Sequence, residues 1–236
     1  VVKIAQNAAH YAVQKPDEVT DLVDFKQPEL SDTELKAPIY IDFGPTSLSA
    51  TPWNNITSHQ ESSTSSWIKD AENNYTNIGV RVLGGFTATH AGVGSEPASP
   101  VTVDGVEFPL TAWKDGLLVR GEKNQGDVGP GIIEISQLDA ARKYNFTILA
   151  IRFNGSKDAR ISSYKLIGKT ESAVKEVKTG IKDVAAFNTA SFEEYIAKFE
   201  NIEPDSEGKV IVEVKGLDTG SAAEGHINAL CISLVK

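Results

Sequence analysis

From Ala37 onward, apolar residues fall in short runs punctuated by Gly, Pro, Asn and Asp. That spacing suits half-buried strands better than helices. It predicts strands over 39–43, 78–83, 117–120, 132–135, 144–153, 160–167, 173–178, 195–199, 210–214 and 227–235. Asn154-Gly155 after the longest run, and the Pro/Asp/Gly stretch 203–208, read as turns. No helical pattern alternates with the strands, which argues against a parallel α/β sheet. The expected fold is therefore all-β, a jelly-roll sandwich. The segment 191–200 fits both periods, since Phe192, Tyr195, Ile196 and Phe199 have helical spacing while 195–199 also alternates. Its second half is assigned to a strand that pairs across the turn at 203–208.

Residues 1–36 have a different texture. Ile4, Ala8, Tyr11 and Ala12 recur at helical spacing over 2–14, and Pro16 closes the run. A polar linker follows. The chain thus divides into a helical N-terminal extension, 1–36, and a β-sandwich module, 37–236.

Composition narrows the function classes. The chain has 236 residues, 40% apolar and 23% charged, which is enough for a real core. The net charge of −9 repels phosphate backbones and argues against a nucleic-acid partner. No apolar stretch approaches the roughly 18 residues of a membrane-spanning helix. The lone Cys231 cannot close an internal disulfide and lies in an apolar run, where a core role is expected.

Motifs that could carry chemistry are sparse. Asp218-Thr219-Gly220-Ser221 spells the aspartic-protease tetrad, but as one copy close to the C-terminus, where these residues suit a turn. The glycine-rich stretch 126–131 leads into a strand rather than a helix N-terminus, so a phosphate cradle is not indicated. His10, His59, His90 and His226 include no i, i+4 pair. His59 and His90 both fall in predicted loops that could meet in space. Asp70, Glu72, Asn74 and Thr76 vaguely follow a calcium loop, yet Tyr75 stands where its glycine belongs. No cofactor is expected. A structural calcium on backbone carbonyls stays open.

The aromatic residues point to a ligand. Trp53, Trp67 and Trp113 all fall in or beside predicted loops, with Tyr75 near them. An exposed indole can stack on the C–H face of a pyranose, while in-plane donors and acceptors take its hydroxyls. Asn54, Asn55, Asp70, Arg120, Asn124 and Gln125 are placed to supply those groups. The alternative is that each Trp caps one end of the core. Three on one open face would mark a glycan site; burial would mark a structural or interaction module. A hydrolase would need convergent carboxylates or a Ser-His pair, and no such constellation is legible.

Several segments in order carry a resemblance. They are Ile39-Tyr40-Ile41-Asp42-Phe43-Gly44, Pro52-Trp53-Asn54-Asn55, Trp67-Ile68-Lys69-Asp70, Gly84-Gly85-Phe86, Asp115-Gly116-Leu117, Lys143-Tyr144-Asn145-Phe146-Thr147 and Pro204-Asp205-Ser206-Glu207-Gly208. Together they resemble a galactose-binding-like β-sandwich module of secreted Bacteroidetes esterases and glycoside hydrolases. The resemblance implies an exported, cell-surface or secreted accessory module beside a hydrolase domain, with a polysaccharide or oligosaccharide as partner. The loops 87–108 and 179–191 are longer than that pattern. The segment up to Phe25 is similar to the closing helix of an SGNH-type hydrolase domain, and equally fits a private extension of the sandwich.

Overall fold

The computed structural model describes residues 35–62, 64–65, 68–90, 100–120, 128–153, 160–181, 189–217 and 223–236. The helix expected over 2–14 lies outside the described residues. In chain order the first strands are β1 (Ile39–Phe43), β2 (Trp53–Ile56), β3 (Thr64–Ser65), β4 (Gly79–Gly84), β5 (Ala88–His90), β6 (Val101–Val103) and β7 (Val106–Phe108). The one-turn helix α1 (Thr111–Lys114) leads to β8 (Gly116–Arg120), β9 (Val128–Ser136), β10 (Tyr144–Leu149), β11 (Arg152–Phe153) and β12 (Ile161–Ile167). Then come β13 (Lys175–Lys178), β14 (Gly180–Ile181), a 3-10 helix (Thr189–Tyr195), β15 (Ile196–Ile202), β16 (Val210–Leu217), β17 (Glu224–Ile227) and β18 (Ala229–Leu234).

Two sheets form an all-β sandwich. One has five strands in the order β15-β10-β18-β1-β2; the other has six, β13-β12-β16-β9-β4-β3. Alternation along each strand decides which side chains meet between them. In β16, Val210, Val212 and Val214 point inward and are fully buried, while Ile211, Glu213, Lys215 and Leu217 point outward. Opposite them, Ile39, Ile41, Phe43, Phe146, Ile148, Leu230 and Ile232 are fully buried, all within one hydrophobic cluster. A three-stranded sheet, β17-β8-β5, joins the six-stranded one at an end.

Most predicted strands form, with shifted ends. Two long runs do not stay whole. The run 144–153 breaks after Leu149, and 227–235 breaks at Asn228. Both breaks have one cause. Asn228 is fully buried; its Oδ1 accepts the Ile151 N–H (2.8 Å), and its Nδ2 donates to the carbonyls of Trp113 (3.2 Å) and Asp115 (2.7 Å). Its own N–H donates to Leu149 (2.9 Å). One side chain thus passes β17 from the small sheet to β18 in the sandwich.

The stretch 87–108 is not simply a long loop, for it holds β5 and the hairpin β6–β7. Asp104 and Gly105 turn that hairpin at φ of +50° and +78°, the left-handed conformations of a tight two-residue turn. Beside β1, the loop 44–50 is fastened to two fully buried carboxylates. Thr46 and Ser47 donate their N–H groups to Asp115 Oδ2, and the Ser49 N–H donates to Asp42 Oδ2 (3.0 Å). Oδ1 of each aspartate has no hydrogen-bond partner. Burial raises both pKa values, that of Asp42 to about 7 with the Asp115 charge adding to it.

Candidate ligand-binding groove

The structure gathers five of the residues singled out from sequence at one sheet edge. Trp53, Asn54 and Asn55 form β2, which pairs in parallel with β1, and the turn 68–76 carries Asp70 and Tyr75 beside it. Asn54 binds that turn: its Oδ1 accepts the Lys69 N–H (2.8 Å), and its Nδ2 donates to the carbonyls of Lys69 (2.8 Å) and Tyr40 (2.9 Å). Asn55 clamps Ser49 through both backbone groups (2.9 and 3.0 Å). Asp70 is buried and accepts the N–H groups of Glu72 (3.0 Å) and Asn74 (2.9 Å), closing a local Asx turn. These side chains therefore build the edge rather than present polar atoms to a ligand. The same turn takes up the carboxylate of the calcium-like pattern. Among the described residues, no group of three or more His, Cys, Asp and Glu is placed to hold a metal ion.

Trp53 and Trp113 depart from the expected open platform. Trp53 is 9% exposed, packed against Tyr40 (ring centroids 5.2 Å apart) and Phe108 (5.7 Å). Trp113 is fully buried against Phe153 (5.7 Å) and Phe192 (5.5 Å). Pairing of β2 with β1 sets Trp53 beside Tyr40 on the outer face of the five-stranded sheet, where Phe108 covers it, and α1 lays Trp113 over the end of the core. Trp67, Asn124 and Gln125 lie outside the described residues. Among the described residues, Tyr75 is the exposed aromatic, 37% exposed, with Lys69 Nζ 4.6 Å from its ring centroid.

Arg120 sits on a different sheet, at the end of β8. Its Nε and Nη2 reach Glu224 Oε1 (3.0 and 2.9 Å), and the buried Arg160 reaches Oε2 (2.7 Å). Burial alone would raise the Glu224 carboxyl; His226, Arg160 and Arg120 outweigh it and hold the pKa at about 2. His226 is buried beside it and is kept neutral by desolvation. Its ring lies 5.0 Å from that of His90, edge to face, so His90 meets His226. The described contact of the His59 ring is instead its neighbour Gln60 (2.8 Å). Cys231 is buried in β18, where desolvation pushes its thiol pKa up, as suits a core residue. Asp218-Thr219-Gly220-Ser221 lies outside the described residues.

A concavity that the sequence did not reveal lies on the outer face of the six-stranded sheet. It encloses about 250 Å³ and is lined by outward residues of β12 and β16, with Val174 and Glu176 from the edge strand and the turn before it. Its floor is Ser163, in register with Glu176 on one side and Lys215 on the other. Residues directly opposite in antiparallel strands share a face, so a short serine stands between two long side chains. Those walls leave Ser163 only 6% exposed although it points outward. One position along, Lys165 is bound to Glu213 (3.3 Å) and Glu171 (3.4 Å). Among the described residues, Glu176 and Lys215 have no ion-pair partner. Val174, 58% exposed, and Leu217 add apolar surface. The arrangement offers an acceptor wall, a donor wall, a hydroxyl floor and two apolar edges.

Alternation along 161–167 and 210–217 does mark Ser163, Lys165, Glu213 and Lys215 as outward. Nothing local states that β13, β12 and β16 are neighbours, and the groove exists only through that order.

No family model matches the chain, and no curated protein matches it. Among solved structures, it is similar to the carbohydrate-binding module TmCBM61, determined in complex with beta-1,4-galactotriose, at 11% identity and a TM-score of 0.35, the match covering 67% of this chain and 89% of that one.

Proposed function

We propose that this chain is a non-catalytic carbohydrate-binding module of an exported, cell-surface or secreted protein that processes polysaccharide, working beside a hydrolase domain. The observation that carries the binding role is the groove over Ser163. It combines hydroxyl, carboxylate and ammonium groups with apolar edges on a rigid sheet, the mixture a sugar ring needs from a shallow site. The accessory role and the export rest on the ordered segments quoted above, which resemble modules of that kind.

The test is retention on immobilised plant and host polysaccharides. Wild type should be retained and Ser163→Tyr, which fills the groove, should not, with near-UV circular dichroism unchanged. Equal retention of the two would remove the groove from the function.

A second reading has its own support. Burial of Trp53 and Trp113 removes two of the three indoles that an aromatic platform would use. That favours a module that positions a neighbouring domain. It predicts no retention on any polysaccharide, and a loss of activity when the module is cut from its hydrolase.

A further inference from the structure

We infer that the groove over Ser163 selects an uncharged hexopyranosyl unit and rejects uronate and sulfated saccharides, with Glu176 and Lys215 as the specificity-determining walls. This rests on the groove being a glycan site. The argument begins with spacing. Glu176 and Lys215 flank Ser163 on neighbouring strands, and strands lie about 4.8 Å apart, so the two backbones stand about 10 Å apart across the groove. A single pyranose ring fits between side chains at that separation. A volume of about 250 Å³ likewise suits one ring rather than a longer segment held in depth.

Charge then decides the class. The groove carries two lysines, Lys165 and Lys215, and two glutamates, Glu176 and Glu213. Lys165 and Glu213 already neutralise one another. That leaves one carboxylate on one wall and one ammonium on the other. A hydroxyl can donate to Glu176 while another accepts from Lys215, so a neutral polyol satisfies both walls at once. A uronate or sulfate that reached Lys215 would face Glu176 across the groove, and the Lys165–Glu213 pair would add no net positive charge to hold it. An amino sugar that reached Glu176 would face Lys215 in the same way. The walls thus work by repulsion as much as by attraction. Val174 and Leu217 occupy diagonal corners, where a ring's C–H faces would touch them.

The experiment is calorimetric titration of the whole chain with matched oligosaccharides, neutral hexo-oligosaccharides in one arm and oligouronates and sulfated oligosaccharides in the other. Neutral ligands should bind at least tenfold tighter and lose little affinity between 50 and 500 mM salt, since no net charge is neutralised (salt values are on the order of those that separate screened from unscreened pairs). Glu176→Ala and Lys215→Ala, both at outward positions, should each weaken neutral binding by about tenfold, the usual cost of a lost charged hydrogen bond. Glu176→Gln should gain affinity for uronates as the repulsion falls. Preferential, salt-sensitive binding of uronates that Lys215→Ala abolishes would overturn the class while leaving the glycan site standing. Binding by neutral sugars that ignores both wall substitutions would overturn the walls. No binding in either arm would remove the glycan reading itself, and this inference with it.

Discussion

At the scale of single residues, the buried carboxylates are the most consequential choices. Asp42 has no cation beside it among the described contacts; it holds Ser49 through one oxygen and leaves the other without a hydrogen bond. Its folded pKa of about 7 stands above the unfolded value of about 3.9. The fold therefore prefers the protonated form. The stability that this preference contributes is complete below about pH 4 and is lost as pH rises through 7. Burial of Asp115 acts with the same sign. Asp42→Asn keeps an acceptor for the Ser49 N–H and removes the titration. Urea unfolding should find the variant close to wild type at pH 4 and more stable by about 2–4 kcal/mol at pH 8. A wild type that instead gained stability on going from pH 4 to pH 8, with Asp42→Asn weaker at pH 8, would show that the carboxylate is ionised and compensated. Trp113 makes the opposite point about what a sequence displays. Its neighbours Lys114, Asp115 and Gly116 look like a loop, and so the indole looks available. Yet Asp115 is buried under the loop 44–50, and the indole goes inward with it. Trp113→Ala should cost about 3–5 kcal/mol in stability, read as a lower urea midpoint, as for other fully buried aromatics.

At the scale of elements, local pattern located strands well and ended them poorly. β1 was legible to the residue because Gly44 and Pro45 follow it at once. The hairpin β6–β7 was legible in principle, since Asp104-Gly105 between two valines is a strong two-residue turn signal. It was obscured by its place within the long stretch 87–108. β2 was not legible, because two asparagines, poor strand formers, stand between Trp53 and Ile56, and the segment gains its structure from pairing with β1. The long strand-like runs 144–153 and 227–235 gave no sign of breaking, for the break lies in a polar contact between them. Asn228 stands in a run that reads as buried strand, and its partners are distant in sequence: Ile151, Trp113 and Asp115. The groove was hidden for the same reason, since Ser163 and Lys215 meet only through sheet order. Asn228→Ala leaves the Ile151 N–H and two carbonyls to lose their partner in a dry site. Each such group costs about 1–3 kcal/mol, so a loss of about 3 kcal/mol or more is expected. Amide exchange should localise it, with Ile151 losing protection well before residues of β16. Uniform loss of protection across the sandwich, or none at Ile151, would remove Asn228 from this role.

At the scale of the whole molecule, two buried charge systems act on stability in opposite directions of pH. Glu224 ties β17 to Arg120 on β8 and to Arg160 at the start of β12, so it fastens the small sheet to the sandwich. Its folded pKa of about 2 lies below the unfolded value of about 4.3, so its contribution is present above the unfolded value and is lost as pH falls through 2. Asp42 weakens the fold at the other end, as pH rises from about 4 through 7, and the raised pKa of buried Asp115 acts with the same sign. The net charge of −9 adds self-repulsion on that same alkaline side. Buried His226, with a folded pKa of about 4 below the unfolded value of about 6.5, weakens the fold as pH falls through that range and offsets most of what Asp42 gains there, which places maximum stability near about pH 5–6. Two variants separate the causes. Asp42→Asn should flatten the alkaline limb and move the maximum toward neutral pH. Arg160→Met removes one partner of a buried pair, which typically costs about 3–5 kcal/mol. It should lower the whole profile and, by letting the Glu224 pKa rise, start the acid limb at higher pH. The measurement is the urea midpoint from pH 2 to pH 9 for the three proteins. A wild-type maximum at pH 7 or above, unmoved by Asp42→Asn, would mean that the aspartates beside the loop 44–50 do not carry the charge balance of the fold. An acid limb that stays in place in Arg160→Met would mean that Glu224 is held down by Arg120 and His226 without it.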